Sequence, residues 1–176
     1  MSRKDQWKKR APSYFTQVQA EEAEVSHSLA IQKIAITGGT GSLGRALVAS
    51  YMDDPAVTRL VVLSRDEVKQ EDLAQRYPGD TKLRLFLGDV RDEARLRQAF
   101  RGCDAIVHTA ALKRITQSVY SPSELIKTNI LGTMNTIAAA TSVGVRRVLL
   151  ISSDKAVAAT NLYGMTKAVA EGYAIQ

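Results

Sequence analysis

The chain has 176 residues, 45% of them apolar, with a net charge of +6 and one cysteine. That length suits a single domain with a real core, and its apolar residues fall in blocks too short to cross a bilayer. Cys103 alone excludes an internal disulfide and a cysteine-built zinc site, and no apolar leader follows the basic N-terminus, so the composition reads as a soluble cytoplasmic protein.

Much of the charge sits in residues 1–10, where Arg3, Lys4, Lys8, Lys9 and Arg10 face only Asp5. Such an arm attracts an acidic partner or a membrane surface, but a solvated terminus is the favoured reading, and neither a nucleic acid nor a membrane span is inferred. Residues 1–30 read as a polar extension with one amphipathic helical stretch around Tyr14–Ala23. Residues 31–176 read as the folded domain.

Ile31–Thr37 is an apolar run that ends in glycines, as a buried strand does on entering a tight turn. Leu43–Tyr51 follows as a helix, stopped at Asp53-Asp54-Pro55. Arg59–Ser64 is a second strand without alternation, the pattern of a sheet covered on both faces. Glu67–Tyr77 predicts a helix closed by Pro78-Gly79, and Leu83–Leu87 a third strand. Asp92 is placed to cap a helix through Phe100, with Gly102 after it. Ala105–Thr109 is the fourth strand. Ser123 is the expected cap of a long helix to Ser142, with Gly144 beyond. Arg147–Ser152 is the fifth strand, and Leu162–Ile175 the last helix. Alternation on this scale predicts an α/β fold, a Rossmann-type doubly wound parallel sheet with right-handed crossovers.

Between the first strand and its helix lies Thr37-Gly38-Gly39-Thr40-Gly41-Ser42-Leu43-Gly44, with glycines at three-residue intervals. In this setting Gly38 lets the chain turn, Gly41 admits a pyrophosphate close to the backbone, and Gly44 lets helix and strand approach. The amides around Thr40, Ser42 and Leu43 then face the phosphates. The second strand ends in Ser64-Arg65, with Lys69 one turn on; a hydroxyl and two cations suit a 2′-phosphate, so NADP is the cofactor read here and NAD the alternative. Asp89 and Val90 are placed to touch the adenine, and Ala110 and Ala111 to leave room under a ribose. Tyr163 and Lys167 lie one helical turn apart, and an ammonium beside a phenol stabilises the phenolate that can take a proton from an alcohol. His108 reads as a satisfied core histidine, Cys103 as inert, and His27 as too isolated for a site; no metal site is inferred.

Seven blocks in order, TGGTGSLG (37–44), SRDEVKQ (64–70), LGDVRD (87–92), HTAALK (108–113), IKTNILGT (126–133), SSDKA (152–156) and NLYGMTK (161–167), resemble the extended short-chain dehydrogenase/reductases. More narrowly they resemble the UDP-N-acetylglucosamine 4,6-dehydratase group of polysaccharide and flagellin-sugar biosynthesis. The resemblance implies oxidation of C4 of a UDP-hexosamine by Tyr163 with Lys167, elimination of the C6 hydroxyl with Lys155 as base and Asp154 as acid, and return of the hydride to C6. It further implies that Ser153 bonds the sugar C4 oxygen, that Asn129 orders a relay water or a backbone contact, and that Lys113 belongs to the cofactor-binding set. A 4-epimerase or reductase, or a non-catalytic NADP-binding protein, is the alternative. Two stretches depart from the family pattern, Arg114–Pro122 and Ala158-Ala159-Thr160. Family members continue beyond the last helix with most of the sugar-nucleotide pocket. The expectation is therefore a nucleotide-binding part, cut before the C-terminal substrate-binding part. By itself it binds a dinucleotide with weak or no turnover, and it associates with a second copy or a longer homologue.

Overall fold

A computed structural model describes residues 31–114 and 120–175. The chain divides into two units, Met1–Ile31 and Gln32–Gln176, and every element below belongs to the second. The expected helix at Tyr14–Ala23, His27 and the basic arm lie outside the described residues.

Five strands, β1 (Lys33–Thr37), β2 (Arg59–Ser64), β3 (Leu83–Leu87), β4 (Ala105–His108) and β5 (Arg147–Leu150), form one all-parallel sheet in the order β3-β2-β1-β4-β5. The helices between them are α1 (Ser42–Asp53), α2 (Glu67–Arg76), α3 (Glu93–Phe100), α4 (Pro122–Ile126) and α5 (Gly132–Ser142), and α6 (Leu162–Ala174) follows β5. The strand order reverses between β1 and β4, which opens a crevice at their C-terminal ends.

Burial explains the unbroken apolar strands. Ala35, Val61, Leu63 and Ile106 pack with Leu96, Ala99 and Phe100 of α3 and with Ala139 and Ala140 of α5. Ile36, Leu60 and Val62 alternate with them and so point to the other face, where α1 buries Val48. These side chains leave water almost completely, at roughly 1.5–3 kcal/mol for each large one.

The elements expected from Ile31 onward are present, and the differences have local causes. β1 starts at Lys33 because Asp104 holds the N–H groups of Gln32 and Lys33 at 3.0 and 2.8 Å. β4 and β5 stop short of Thr109 and Ser152, although Thr109 and Ile151 each still donate one bond to the neighbouring strand. The long helix is capped not by Ser123 but by Ser121, since Pro122, which lacks an N–H, fits the first turn. Between α4 and α5 the helix widens into a π-helical turn, Lys127–Leu131, where the Gly132 N–H reaches the Lys127 carbonyl. Asp92 caps α3 as expected, its side chain accepting from the Arg95 N–H.

His108 is buried as expected. Its Nδ1 lies 2.6 Å from the Thr37 hydroxyl and its Nε2 3.1 Å from that of Thr133. Burial, helped by the charge of Lys167, depresses its pKa to about 3, so the ring is neutral. Cys103 does have a basic neighbour, one that its own stretch of sequence does not reveal: Arg59 of β2 approaches its sulfur at 3.9 Å. Burial nevertheless pushes the thiol up, which leaves it protonated and unreactive.

Candidate functional site

A cleft of about 720 Å³ opens at the β1/β4 crevice. Its floor is the turn from β1 into α1. Gly38 has φ +70, and a Cβ there would meet the Ala110 backbone at 2.8 Å, so only glycine fits both the conformation and the space. The Gly41 N–H bonds the Gly38 carbonyl at 2.9 Å, which closes the turn. Asp66, Asp92 and Asn161 cap α2, α3 and α6, whereas α1 has no side-chain cap and no acidic residue in its first turn. The opening amides of α1 are therefore left for an anion in the cleft.

The structure brings most of the sequence-derived residues together. Gly38, Thr40, Gly41, Ser42, Leu43 and Gly44 line one end of the cleft, and Ser64, Arg65 and Lys69 flank them. Val90, Ala110, Ala111 and Lys113 line the same cleft, with the Ala110 backbone directly against Gly38, and Tyr163 and Lys167 line it as well. Lys167 is buried, and its ammonium donates to the Ile151 carbonyl at 2.5 Å. Burial holds it below the ordinary lysine range, opposed by the charge of Glu171.

Five others stand elsewhere. Asp89 is not among the lining residues; it accepts from Arg91 at 2.7 and 3.0 Å and also meets Arg65, which does line the cleft, at 3.4 Å. Burial would raise its carboxyl, but these partners hold it below the usual range. Arg65 is thus paired with Asp89 of the next strand's loop rather than with a sequence neighbour. Asn129 is buried, accepts from the Leu112 N–H at 2.8 Å, and donates to the Leu112 carbonyl and the Thr166 hydroxyl. This is the backbone contact, made on the loop that carries Ala110 and Ala111. Ser153 spends its hydroxyl on its own turn, toward Asp154 and the Lys155 N–H, and it is Ser152 that lines the cleft. Asp154 and Lys155 sit on a 3-10 turn, Asp154–Ala156, and pair with each other at 3.1 Å. Their side chains are 82% and 45% exposed, and Lys155 holds the Asp154 carboxyl below its usual range.

Arg45 and Thr128 are among the cleft residues that escape sequence reasoning. Arg45 lines the phosphate end and steadies the loop through its bond to the Thr40 carbonyl at 3.0 Å; its place right after the third glycine was the available signal. Thr128, on the π-helical turn, is 3% exposed and is among the lining residues, while its hydroxyl is buried and has no partner among the described residues. Thr133 and Thr136 on α5 satisfy theirs on the preceding turn, at the carbonyls of Asn129 and Gly132. Six cationic side chains line the cleft against one carboxylate, Asp66. Such a surface suits an elongated ligand that carries several phosphates and free hydroxyls.

Residues 34–176 match the model of a family described as polysaccharide biosynthesis protein. Over 136 residues the chain is 41% identical to a UDP-N-acetylglucosamine 4,6-dehydratase (inverting) of Campylobacter jejuni, covering 77% of this chain and 40% of that one. It is 38% identical over 145 residues to a UDP-glucose 4-epimerase of Rickettsia massiliae, covering 81% and 42%. Among solved structures, Pen from Bacillus thuringiensis aligns with a TM-score of 0.78 at 33% identity, over 82% of this chain and 45% of that one. A dTDP-glucose 4,6-dehydratase of Streptomyces venezuelae, with NAD and TYD bound, aligns with a TM-score of 0.70 at 29% identity, over 81% and 50%. The chain thus spans 40–42% of the length of these two curated relatives. Glycine turn, strand order and aligned relatives agree, and the chain belongs to the polysaccharide biosynthesis protein family, with the fold of the short-chain dehydrogenase/reductases.

Proposed function

We propose that residues 31–176 form a domain that binds a nicotinamide dinucleotide, NADP in preference to NAD, and works on C4 of a UDP-hexosamine such as UDP-N-acetylglucosamine in the first step of a 4,6-dehydration. The observation that carries this reading is the position of Tyr163 and Lys167, one turn apart, in the same cleft as the glycine turn. The residues present fit such a cofactor. Gly38 leaves room for close approach, and the first turn of α1 is open to a pyrophosphate. Arg65, Lys69 and Arg45 would hold the 2′-phosphate, with Ser64 beside them.

Bound there, the nicotinamide supplies a hydride acceptor and later a donor. The remaining work falls to side chains. Tyr163 takes the proton of the sugar hydroxyl, and the Lys167 ammonium stabilises the negative charge that forms. Val90, Ala110 and Ala111 keep the cleft wall small and apolar beside the cofactor. In the dehydratase reading Lys155 removes the C5 proton, Asp154 protonates the departing C6 hydroxyl, and Ser153 bonds the C4 oxygen. That role requires the Asp154–Lys155 pair to separate and lose water when substrate covers it. The 4-epimerase or reductase reading needs only Tyr163 and Lys167, and the exposed, mutually paired state of Asp154 and Lys155 favours keeping it as the second reading.

Incubating the chain with NADP+ and UDP-N-acetylglucosamine, followed by mass spectrometry, separates the readings. Loss of one water supports dehydration. A sugar of unchanged mass but altered configuration supports epimerisation. Tight NADP(H) binding with no conversion leaves a nucleotide-binding part alone.

A further inference from the structure

α6 repeats Tyr163, Lys167 and Glu171 at intervals of four, along one helix face. Lys167 donates to the Ile151 carbonyl, and one residue on, the Ser152 hydroxyl donates to the Glu171 carboxylate. Two consecutive residues beyond β5 are thus held by two consecutive turns of α6, and both line the cleft beside Tyr163 and Lys167. The Ile151 N–H bonds the His108 carbonyl at 3.1 Å, so the clamp is anchored to the middle of the sheet.

Charge points the same way. A buried ammonium is costly unless paired. Around Lys167, Tyr163 shares its helix and His108 of β4 is neutral. Asp154 and Lys155 on the packed 3-10 turn neutralise each other, Lys127 of the π-helical turn pairs with Glu124 of α4, and α5 carries no ionisable side chain. Glu171 is the carboxylate that acts on Lys167.

We infer that Glu171 is a positioning residue that acts through Lys167 and Ser152, supplying the counter-charge of the buried ammonium and fixing the cleft wall at the end of β5. The inference rests on the proposed function, in which Lys167 serves the cofactor and the reacting hydroxyl. The test is NADPH affinity of the full chain, by fluorescence titration across a series from neutral to alkaline pH. Glu171→Gln keeps an acceptor for Ser152 but removes the charge. It should match the wild type at neutral pH and lose affinity at a lower alkaline pH than the wild type does, by about tenfold where the two differ most, because the ammonium gives up its proton more readily without the carboxylate. Glu171→Asp should restore the wild-type profile, and Ser152→Ala should lower affinity equally at every pH. Superimposable profiles for Glu171→Gln and wild type, with any loss confined to melting temperature, would overturn the inference and leave the proposed function standing. A wild-type chain that binds no NADPH at any pH would overturn both.

Discussion

The turn after β1 and the passage after β5 carry most of the chemistry, and they are built in opposite ways. The first is enclosed. Thr37 and Thr40 are buried, the Gly38 N–H bonds the Leu63 carbonyl of β2, and Ala110 leaves no room above Gly38. The second is open. Asp154 and Val157 lie in solvent, Ala158 has φ +47, and β5 pairs with β4 alone among the described residues, with Val148 and Leu149 exposed. A turn walled by strands on both sides has its geometry set within the domain, so the cofactor end is preformed. A turn with one wall keeps its polar groups on each other until something covers them. Lys167 and Glu171 bridge the two regimes, because α6 reaches back from the open side to the buried one.

The comparison breaks most readily at Gly38. A side chain there adds left-handed backbone strain to a clash with backbone. Gly38→Val should destabilise the domain by about 2–6 kcal/mol in chemical denaturation and abolish NADPH binding; wild-type behaviour would show that the turn is not enclosed. Next comes His108, buried neutral with a pKa of about 3. An unfolded histidine binds its proton near pH 6.5, so this stabilisation is complete above that value and is lost as the pH falls from 6.5 toward 3. Unfolding free energy should decline by up to about 1.4 kcal/mol per pH unit in that window, and His108→Gln should flatten the part due to this residue. A smaller effect is expected at Arg65, which must exchange Asp89 for a phosphate. Arg65→Ala should weaken NADPH binding by about 10–100-fold while leaving NADH binding nearly unchanged; equal losses for both would assign Arg65 to general charge. The smallest belongs to the open turn. Lys155→Ala should change neither melting temperature nor NADPH affinity, and should affect only conversion of the sugar beyond its 4-keto stage. A marked loss of stability would mean that the pair is a structural contact.

These contrasts also explain what the sequence reveals. Strands and helices emerge within a residue or two because burial on both faces writes unbroken apolar runs such as Leu60–Leu63, and caps such as Asp92 announce themselves. The glycine turn, Ser64-Arg65 and the Tyr163–Lys167 spacing are equally legible, since each lies within a few residues of chain. What the sequence hides comes from elsewhere in the fold. The sequence places Asp89 near the adenine but does not announce its ion pairs with Arg91 and Arg65. The resemblance singles out Ser153 for the sugar C4 oxygen and gives no hint that its hydroxyl bonds Asp154 or that Ser152 lines the cleft. The cap at Ser121, the π-helical turn that strands the Thr128 hydroxyl, and the pairing of Ser152 with Glu171 depend on packing that no local pattern records.

The cleft as a dinucleotide site is tested most directly by titrating NADPH and NADH into the 176-residue chain and following nicotinamide fluorescence. The account predicts saturable binding of one NADPH per chain, tighter than NADH by about tenfold or more, and lost in Gly38→Val. Absence of saturable binding, or a Gly38→Val protein that folds and binds as the wild type does, would contradict it.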